Sequence, residues 1–305
     1  MTTKLLPLDE AIRRFVPDGA SIALGCALEP LIPFAAGHEI IRQGKRDLTL
    51  IGPISDILFD ELIGAGCVSR VIAAWVGNVS EGLGYNNRRA AERGQPHPIE
   101  IVDHSNYSVG LALLAGALGV PYIPMRSLLG SDIARNHPDI RPAPSPFGSE
   151  ATLLVPALHP DVAILHVQRA DVEGRAHVWG GLGICEEAAL AARGVIYTAE
   201  EIVPAETILS DPNRVLAPAM KTFAVVHVPG GAHPSPVQGY YNRDHAAYAE
   251  YHEHSRSPED FAAWLQEWVL GVPDRAAYLG RLGAERWQSL AAREPRLAAP
   301  VDYGY

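Results

Sequence analysis

The sequence predicts an α/β protein, a mostly parallel sheet flanked by helices with a helical segment at the C-terminus. Three observations carry this prediction. Short β-branched runs alternate with amphipathic segments of helical length, and strands joined by such crossovers pair in parallel. Glycine-rich turns close many of the runs. Beyond about residue 240 the chain becomes aromatic, charged and helical in period.

The elements follow in order. Ser21–Gly25 reads as the first strand, Ile32–Gln43 as a helix and Asp47–Gly52 as the next strand. Ile54–Ile63 suits a helix, Val68–Val76 a strand, Asn86–Arg93 a helix and Ile99–Val102 a strand. Tyr107–Leu118 then reads as a helix and Val120–Ile123 as a strand. From Gly130 to Glu150 prolines replace periodicity, which predicts a long loop and a candidate active-site flap. The pattern resumes with strands at Leu153–Pro156, Val162–Val167 and His177–Trp179, a helix near Glu186–Arg193, and strands at Val195–Thr198 and Thr222–Val228. Arg243 to about Arg293 is helical in period. Residues 1–240 are expected to form the α/β domain, and residues 241–305 a helical extension packing on it.

Composition narrows the function. A chain of 305 residues with 48% hydrophobic content can bury a substantial core. Its 25 basic residues are outnumbered by 35 acidic ones and form no run, which argues against nucleic acid or an anionic membrane as partner. Any bound anion must therefore be held by local groups. Three scattered cysteines, Cys26, Cys67 and Cys185, give neither a disulfide framework nor a metal pair, so a reducing, cytoplasmic setting is expected. Asp9 and Glu10 interrupt the start before a signal peptide can form. Asn106–Met125 carries no formal charge, but Gly110, Gly116, Gly119, Pro121 and Pro124 divide it, against a membrane span.

Glycine turns at strand ends are the leading chemical signal, because ligands of open α/β sheets bind outside the carboxyl ends of strands. Four turns qualify: Gly25–Pro30, Val76–Ser80, Ser127–Asp132 and Pro229–Ser235. Each also serves plain geometry, and neither a GxGxxG after the first strand nor a phosphate-loop motif is present. Asp103-His-Ser-Asn106 offers donors and acceptors at a strand end, or a helix cap through Ser105 or Asn106. His233 reads either as projecting from its loop into a cleft or as a hydrogen-bonded structural histidine. His252 and His254 fall on different faces of a helix and fit no metal. There is no GxSxG serine elbow. Glu81 is a candidate carboxylate nucleophile or a surface acid beside Asn86-Asn-Arg-Arg89.

Several segments, in this order, resemble the α subunits of the family I CoA transferases, the glutaconate CoA-transferase branch in particular. They are Asp18-Gly-Ala-Ser21, Arg70–Gly77, Gly116–Asp132, His166–Asp171, Trp179-Gly-Gly-Leu-Gly183, Ala199–Val203, Pro229–Ser235 and Gly239-Tyr-Tyr241. The resemblance implies a homologous β subunit in αβ or α2β2 assemblies, with the active site between the chains. It implies CoA exchange between a small acyl-CoA and a carboxylate through a glutamyl-CoA intermediate on the partner, without metal or redox cofactor. The catalytic glutamate is then expected on the partner. The candidate substrate and CoA contacts in this chain are Gly25, Cys26, Val76, Gly77, Ser105, Asn106, Ser127, Gly130, Ser131, Gly230, Gly231 and His233.

Two departures bear on this. Gly25-Cys26 stands where the family commonly has a glycine pair. The related steroid-ring acyl-CoA hydrolases carry a glutamate where this chain has Asn106, and an amide cannot serve as that base. A ring-cleaving hydrolase subunit is the alternative, and a non-catalytic acyl-CoA-binding subunit is a third reading.

Overall fold

The computed structural model describes residues 3–292, so Arg293 and the rest of the expected extension lie outside the described residues. The chain opens with α1 (Leu8–Phe15), β1 (Ser21–Leu24), α2 (Phe34–Arg42), β2 (Leu48–Gly52), α3 (Asp56–Gly64) and β3 (Val68–Ala73). A short hairpin, β4 (Gly77–Asn78) and β5 (Gly82–Leu83), leads to α4 (Tyr85–Arg93), β6 (Glu100–Asp103) and α5 (Asn106–Leu118). Next come β7 (Tyr122–Met125), α6 (Asp132–Asn136), β8 (Arg141–Pro144) and β9 (Ala151–Pro156). The chain then returns through β10 (Val162–Ala170), β11 (Ala176–His177), α7 (Cys185–Ala191), β12 (Gly194–Ile202), α8 (Ala205–Leu209) and β13 (Thr222–His227). It ends with α9 (His245–His254), α10 (Pro258–Leu265), α11 (Arg275–Leu282) and α12 (Ala284–Ser289).

The expected architecture is present. The central sheet runs β13-β12-β10-β1-β2-β3-β6, all parallel, with β11 antiparallel on β10. Alternation along each strand divides the apolar side chains between two faces. Ile22, Leu24, Ile164 and Ile196 join α1, α2, α3 and the C-terminal aromatics Tyr248, Tyr251, Phe261 and Trp264 in one cluster. Ala23, Ala163, Leu165 and Tyr197 meet α5 and α7 in the other.

Residues 121–157 correct the expectation. The runs at 120–123 and 153–156 do not extend the parallel sheet but form β7 and β9 of a separate antiparallel sheet ordered β7-β9-β8. The expected loop at 130–150 contains α6 and β8. The uncharged stretch 106–125 is divided between α5 and β7, and no described helix is long and apolar enough to cross a membrane.

α5 lies against α7 and against the chain leaving β9, where a Cβ on Gly116 would overlap the Leu158 carbonyl oxygen and press on Ala191. Gly116→Ala is expected to lower stability by about 1–3 kcal/mol through this overpacking, measured by urea unfolding.

Candidate active site at the sheet's switch point

The chain lays down β1, β2, β3 and β6 in one direction, then returns to place β10, β12 and β13 on the other side of β1. The order thus reverses between β1 and β10, where an open parallel sheet leaves a crevice at its carboxyl edge. β1 ends at Leu24, opposite Ile164, whereas β10 and β12 remain paired as far as Ala170 and Ile202. Their extension forms a wall beyond β1, and it carries His166, Gln168 and Glu200.

Glu200 is buried on this wall and accepts bonds from His166 Nε2 at 2.7 Å, Tyr241 Oη at 2.7 Å and the Gly230 N–H at 2.8 Å. Burial alone raises a carboxyl pKa, but the bonds from His166, Gly230 and Tyr241 outweigh it and hold Glu200 below the usual value. The Pro229–Ser235 loop after β13 is thereby pulled back across the sheet. Its far end is stitched to the turn after β1, where Ser235 Oγ donates to the Glu29 carbonyl at 2.6 Å, and its middle to the start of α2, where Ala35 N donates to the Gly231 carbonyl at 2.8 Å. Arg275 grips the same loop, donating to the carbonyls of Gly230 at 2.8 Å and His233 at 2.5 Å.

Where the chain runs on past this loop, next to the turn after β1, lies a cavity of about 320 Å³ walled by Pro30, Trp179, Gly181, Gln238, Tyr241 and Asn242, among others. Gln168 fixes the Trp179 backbone, donating to its carbonyl at 2.9 Å and accepting from its N–H at 3.3 Å. Gly183, at φ +52°, brings its backbone so close to Cys26 that a Cβ would overlap the Cys26 carbonyl, and Ile184 N donates to that carbonyl at 2.8 Å. A larger cavity, about 540 Å³ between α3, α4 and α10, is lined by Gly64, Arg89 and Phe261. It lies off the carboxyl edge, and the switch-point cavity is the candidate site on topology rather than size.

Comparison with known proteins agrees with this geometry. Residues 6–227 match the family model described as Coenzyme A transferase. The chain belongs to the coenzyme A transferase family. It is 41% identical over 279 residues to the A-type subunit of 3-oxoadipate CoA-transferase from Pseudomonas knackmussii, covering 92% of this chain and 98% of that one. The A-type subunit of glutaconate CoA-transferase from Acidaminococcus fermentans is 34% identical over 300 residues, 93% of each chain. The crystal structure of that glutaconate enzyme superposes with a TM-score of 0.89 at 33% identity, covering 95% of this chain and 96% of that one.

Within this coenzyme A transferase chain the twelve candidate contacts fall at five turns, after β1, β3, β6, β7 and β13. Ser105 and Asn106 follow β6 and the glycines 230 and 231 follow β13, six strand steps away or roughly 29 Å at ~4.8 Å per step. Gly25 and Cys26 are buried between them at the end of β1, and burial raises the Cys26 thiol to about 12, which leaves no nucleophilic thiolate at neutral pH. The turn after β3 holds half-buried Val76 and buried Gly77. Ser105 caps α5 by accepting from Ser108 N at 3.0 Å, and Ser131 caps α6 by accepting from Ala134 N at 3.2 Å. Asn106, Ser127 and Gly130 are exposed, as is Glu81 in the turn between β4 and β5. His233 is not in a cleft. It is fully buried, with Nε2 on Asp244 at 3.0 Å and Nδ1 on Tyr278 Oη at 2.9 Å, and burial lowers it to about 4.

The residues that wall the cavity, Trp179, Gln238, Tyr241 and Asn242, and the network behind them, His166, Gln168 and Glu200, had no chemical signal of their own in the sequence. Trp179, Tyr241, His166, Gln168 and Glu200 were visible only within segments carrying the family resemblance, and Gln238 and Asn242 lie outside those segments.

Beyond β6 a histidine pair ties the α5 cap to the antiparallel sheet. His137 Nδ1 accepts from the N–H groups of Asp139 and Ile140, both at 3.0 Å, so its proton is on Nε2, which meets His104 Nε2 at 3.0 Å. His104 Nδ1–H is left to donate to Ser108 Oγ at 2.9 Å. Both rings are neutral, His104 being lowered by burial and by His137 to about 3.

Two measurements test this description. Glu200→Gln places an amide N–H₂ against groups that donate, and is expected to cost about 2–4 kcal/mol in urea unfolding. For His104 the unfolded chain binds more protons below its reference value of 6.5, so its contribution is complete above that pH and is lost as pH falls toward 3. His104→Gln, which does not titrate there, should lose about 1–2 kcal/mol less stability than wild type between pH ~7 and ~5.

Proposed function

We propose that this chain is the A-type half of a two-chain CoA transferase that moves CoA from a small oxo or dicarboxylic acyl-CoA to a free carboxylate. A partner glutamate attacks the thioester carbonyl, the C–S bond breaks, and an acyl–glutamyl anhydride and CoA thiolate result. The thiolate then attacks the glutamyl carbonyl, releasing the acid and leaving glutamyl-CoA, which an acceptor carboxylate reverses. The observation that carries this reading, within the family, is a binding crevice without its own nucleophile. The switch-point cavity is walled by no carboxylate, thiol or serine, Glu200 behind it is saturated by three donors, and Cys26 is a buried thiol. The 3-oxoadipate and glutaconate enzymes both act on dicarboxylic acids by name, which supports the substrate class.

A second chain also suits the outer face of α5. Tyr107, Leu111, Leu114 and Leu118 share one helical stripe, and the outer two are 61% and 63% exposed on a helix with no charge. This face starts one residue after Asn106. A partner seated on it reaches the carboxyl edge of the sheet.

The test is transfer of isotope from a labelled free acid into acyl-CoA. The complex with the partner is expected to exchange label and this chain alone to exchange none. Asn106→Glu in the complex should leave acceptor-independent acyl-CoA consumption unchanged. Strong acceptor-independent consumption by the wild-type complex would overturn the proposal in favour of a hydrolase, because a transferase that excludes water stalls at glutamyl-CoA.

A further inference from the structure

The chain has a net charge of -10, yet one groove on it is basic. Where the turn from α9 to α10 packs on α4 lies a cavity of about 350 Å³, walled by Tyr85, Arg88, Arg89, Arg93, Gln95 and Arg256, among others. Glu92 is the one carboxylate among its lining residues. Arg88 Nε pairs with Glu92 at 2.9 Å and Arg256 Nη2 with Glu253 at 2.8 Å, but all four side chains are more than half exposed, and such pairs hold weakly. Arg89 and Arg93 meet no carboxylate within ion-pair distance among the described residues. Arg89 is half-buried and is fixed by neutral acceptors alone. Its Nη1 donates to the carbonyls of Ser255 at 2.9 Å and Arg256 at 3.0 Å, and its Nη2 to Asn86 Oδ1. Arg89 and Arg93 are neighbours on the helix surface, and like charges four residues apart destabilise a helix. The helix dipole favours Arg93 in the last turn of α4, but Arg256 comes from a different element and adds to the same concentration of charge.

We propose that this groove binds a small phosphorylated anion, its di- or triphosphate group held between α4 and the α9–α10 turn by Arg88, Arg89, Arg93 and Arg256. Guanidinium forks match phosphate oxygens two at a time, and only an anion of several charges answers several of them. Arg89 supplies a fixed charge, while the exposed Arg93 and Arg256 reach the ligand from two different elements. The volume falls within the usual range of small-molecule sites. The cavity of about 540 Å³ beside it shares Arg89, Gln95 and Pro258 and adds Phe261 and Leu265, which leaves room for an organic group attached to the phosphates. An extended nucleic acid is disfavoured, because beyond the groove it meets a chain of net charge -10. The site goes beyond the transferase reading. It shares no residue with the switch-point cavity or with the strand-end turns, so a ligand here joins α4 to the α9–α10 turn without occupying the crevice.

The experiment is calorimetric titration of the full chain with inorganic tripolyphosphate and, separately, with ATP. Saturable binding that weakens as salt is raised is expected with both. Tighter binding of ATP assigns the adjoining cavity to the organic group, and equal affinities assign the site to the phosphates alone. Arg93→Glu and Arg256→Glu, changes at exposed positions, are each expected to weaken binding by about tenfold or more, since a charge-assisted bond is lost and repulsion takes its place. Arg193→Glu, at an exposed position outside the groove, changes the net charge equally and should leave the affinity as in wild type. No saturable binding of either probe, or equal weakening by Arg193→Glu, overturns the site. In the assembled two-chain enzyme without added phosphate, Arg93→Glu and Arg256→Glu should leave the affinity for CoA unchanged. Weakened CoA binding there gives the groove to the transferase substrate and overturns the proposal of a separate site.

Discussion

The carboxylate of Glu200 is the constraint on which the carboxyl edge of this sheet depends. A carboxylate so deeply buried is tolerated only when its oxygens are fully used, and here the three donors come from three separate parts of the chain. His166 belongs to the neighbouring strand, Gly230 to the loop after the edge strand, and Tyr241 to the segment beyond it. Satisfying one charge therefore requires the chain leaving β13 to double back over β12 and β10. That path places Pro236–Asn242 above the crevice next to β1 and turns an open groove into a cavity.

The C-terminal helices secure the same loop from the outside. Arg275 of α11 holds two of its carbonyls, and Asp244, at the start of α9, accepts from His233 Nε2 and from both Nε and Nη2 of Arg286 in α12. Burial raises the Asp244 carboxyl, but the bonds from His233, Arg286 and Ala247 more than offset this and hold it well below the usual range. These helices also contribute Tyr248, Tyr251, Phe261 and Trp264 to the apolar cluster under the sheet. The β13 side of the molecule is thus tightly tied. The β6 side contrasts with it, since its edge strand, α5 and β7 expose Ile101, Tyr107, Leu118 and Tyr122. A chain whose binding crevice is built and whose opposite face is apolar and open fits the role of one half of an enzyme.

Most of the sheet was legible because a parallel strand buried on both faces leaves a dense apolar run, and its crossover helix leaves a period of its own. Val162–Val167 and Val195–Thr198 are such runs, and the polar residues that extend both strands to Ala170 and Ile202 were not read as strand. The antiparallel sheet at 121–157 was misread for two physical reasons. An apolar run such as Val120–Ile123 carries no mark of the strand it will pair with. Arg141-Pro-Ala-Pro144 looks like a loop because proline cannot donate to a ladder, yet β8 pairs only with β9, and at a sheet edge proline is admissible. Among the candidate contacts, Ser105 and Ser131 prove to be helix caps in this chain, a role that short hydroxyl side chains before a helix share with ligand binding.

By itself the sequence determined the α/β class, the strands of the parallel sheet, the family and the absence of a phosphate-loop or serine-elbow chemistry, because each of these is written in local periods and contiguous motifs. Only the tertiary structure decided where the cavity is and which side chains wall it. Trp179, Glu200 and Tyr241 come from three distant segments, and nothing in their local patterns records that one reversal of strand order and one buried charge bring them together. The same holds for His233, whose burial depended on Asp244, 11 residues on, and on Tyr278 of α11, 45 residues on. Local sequence reports the propensity of a segment, whereas burial and hydrogen-bond partnership are properties of the packed whole.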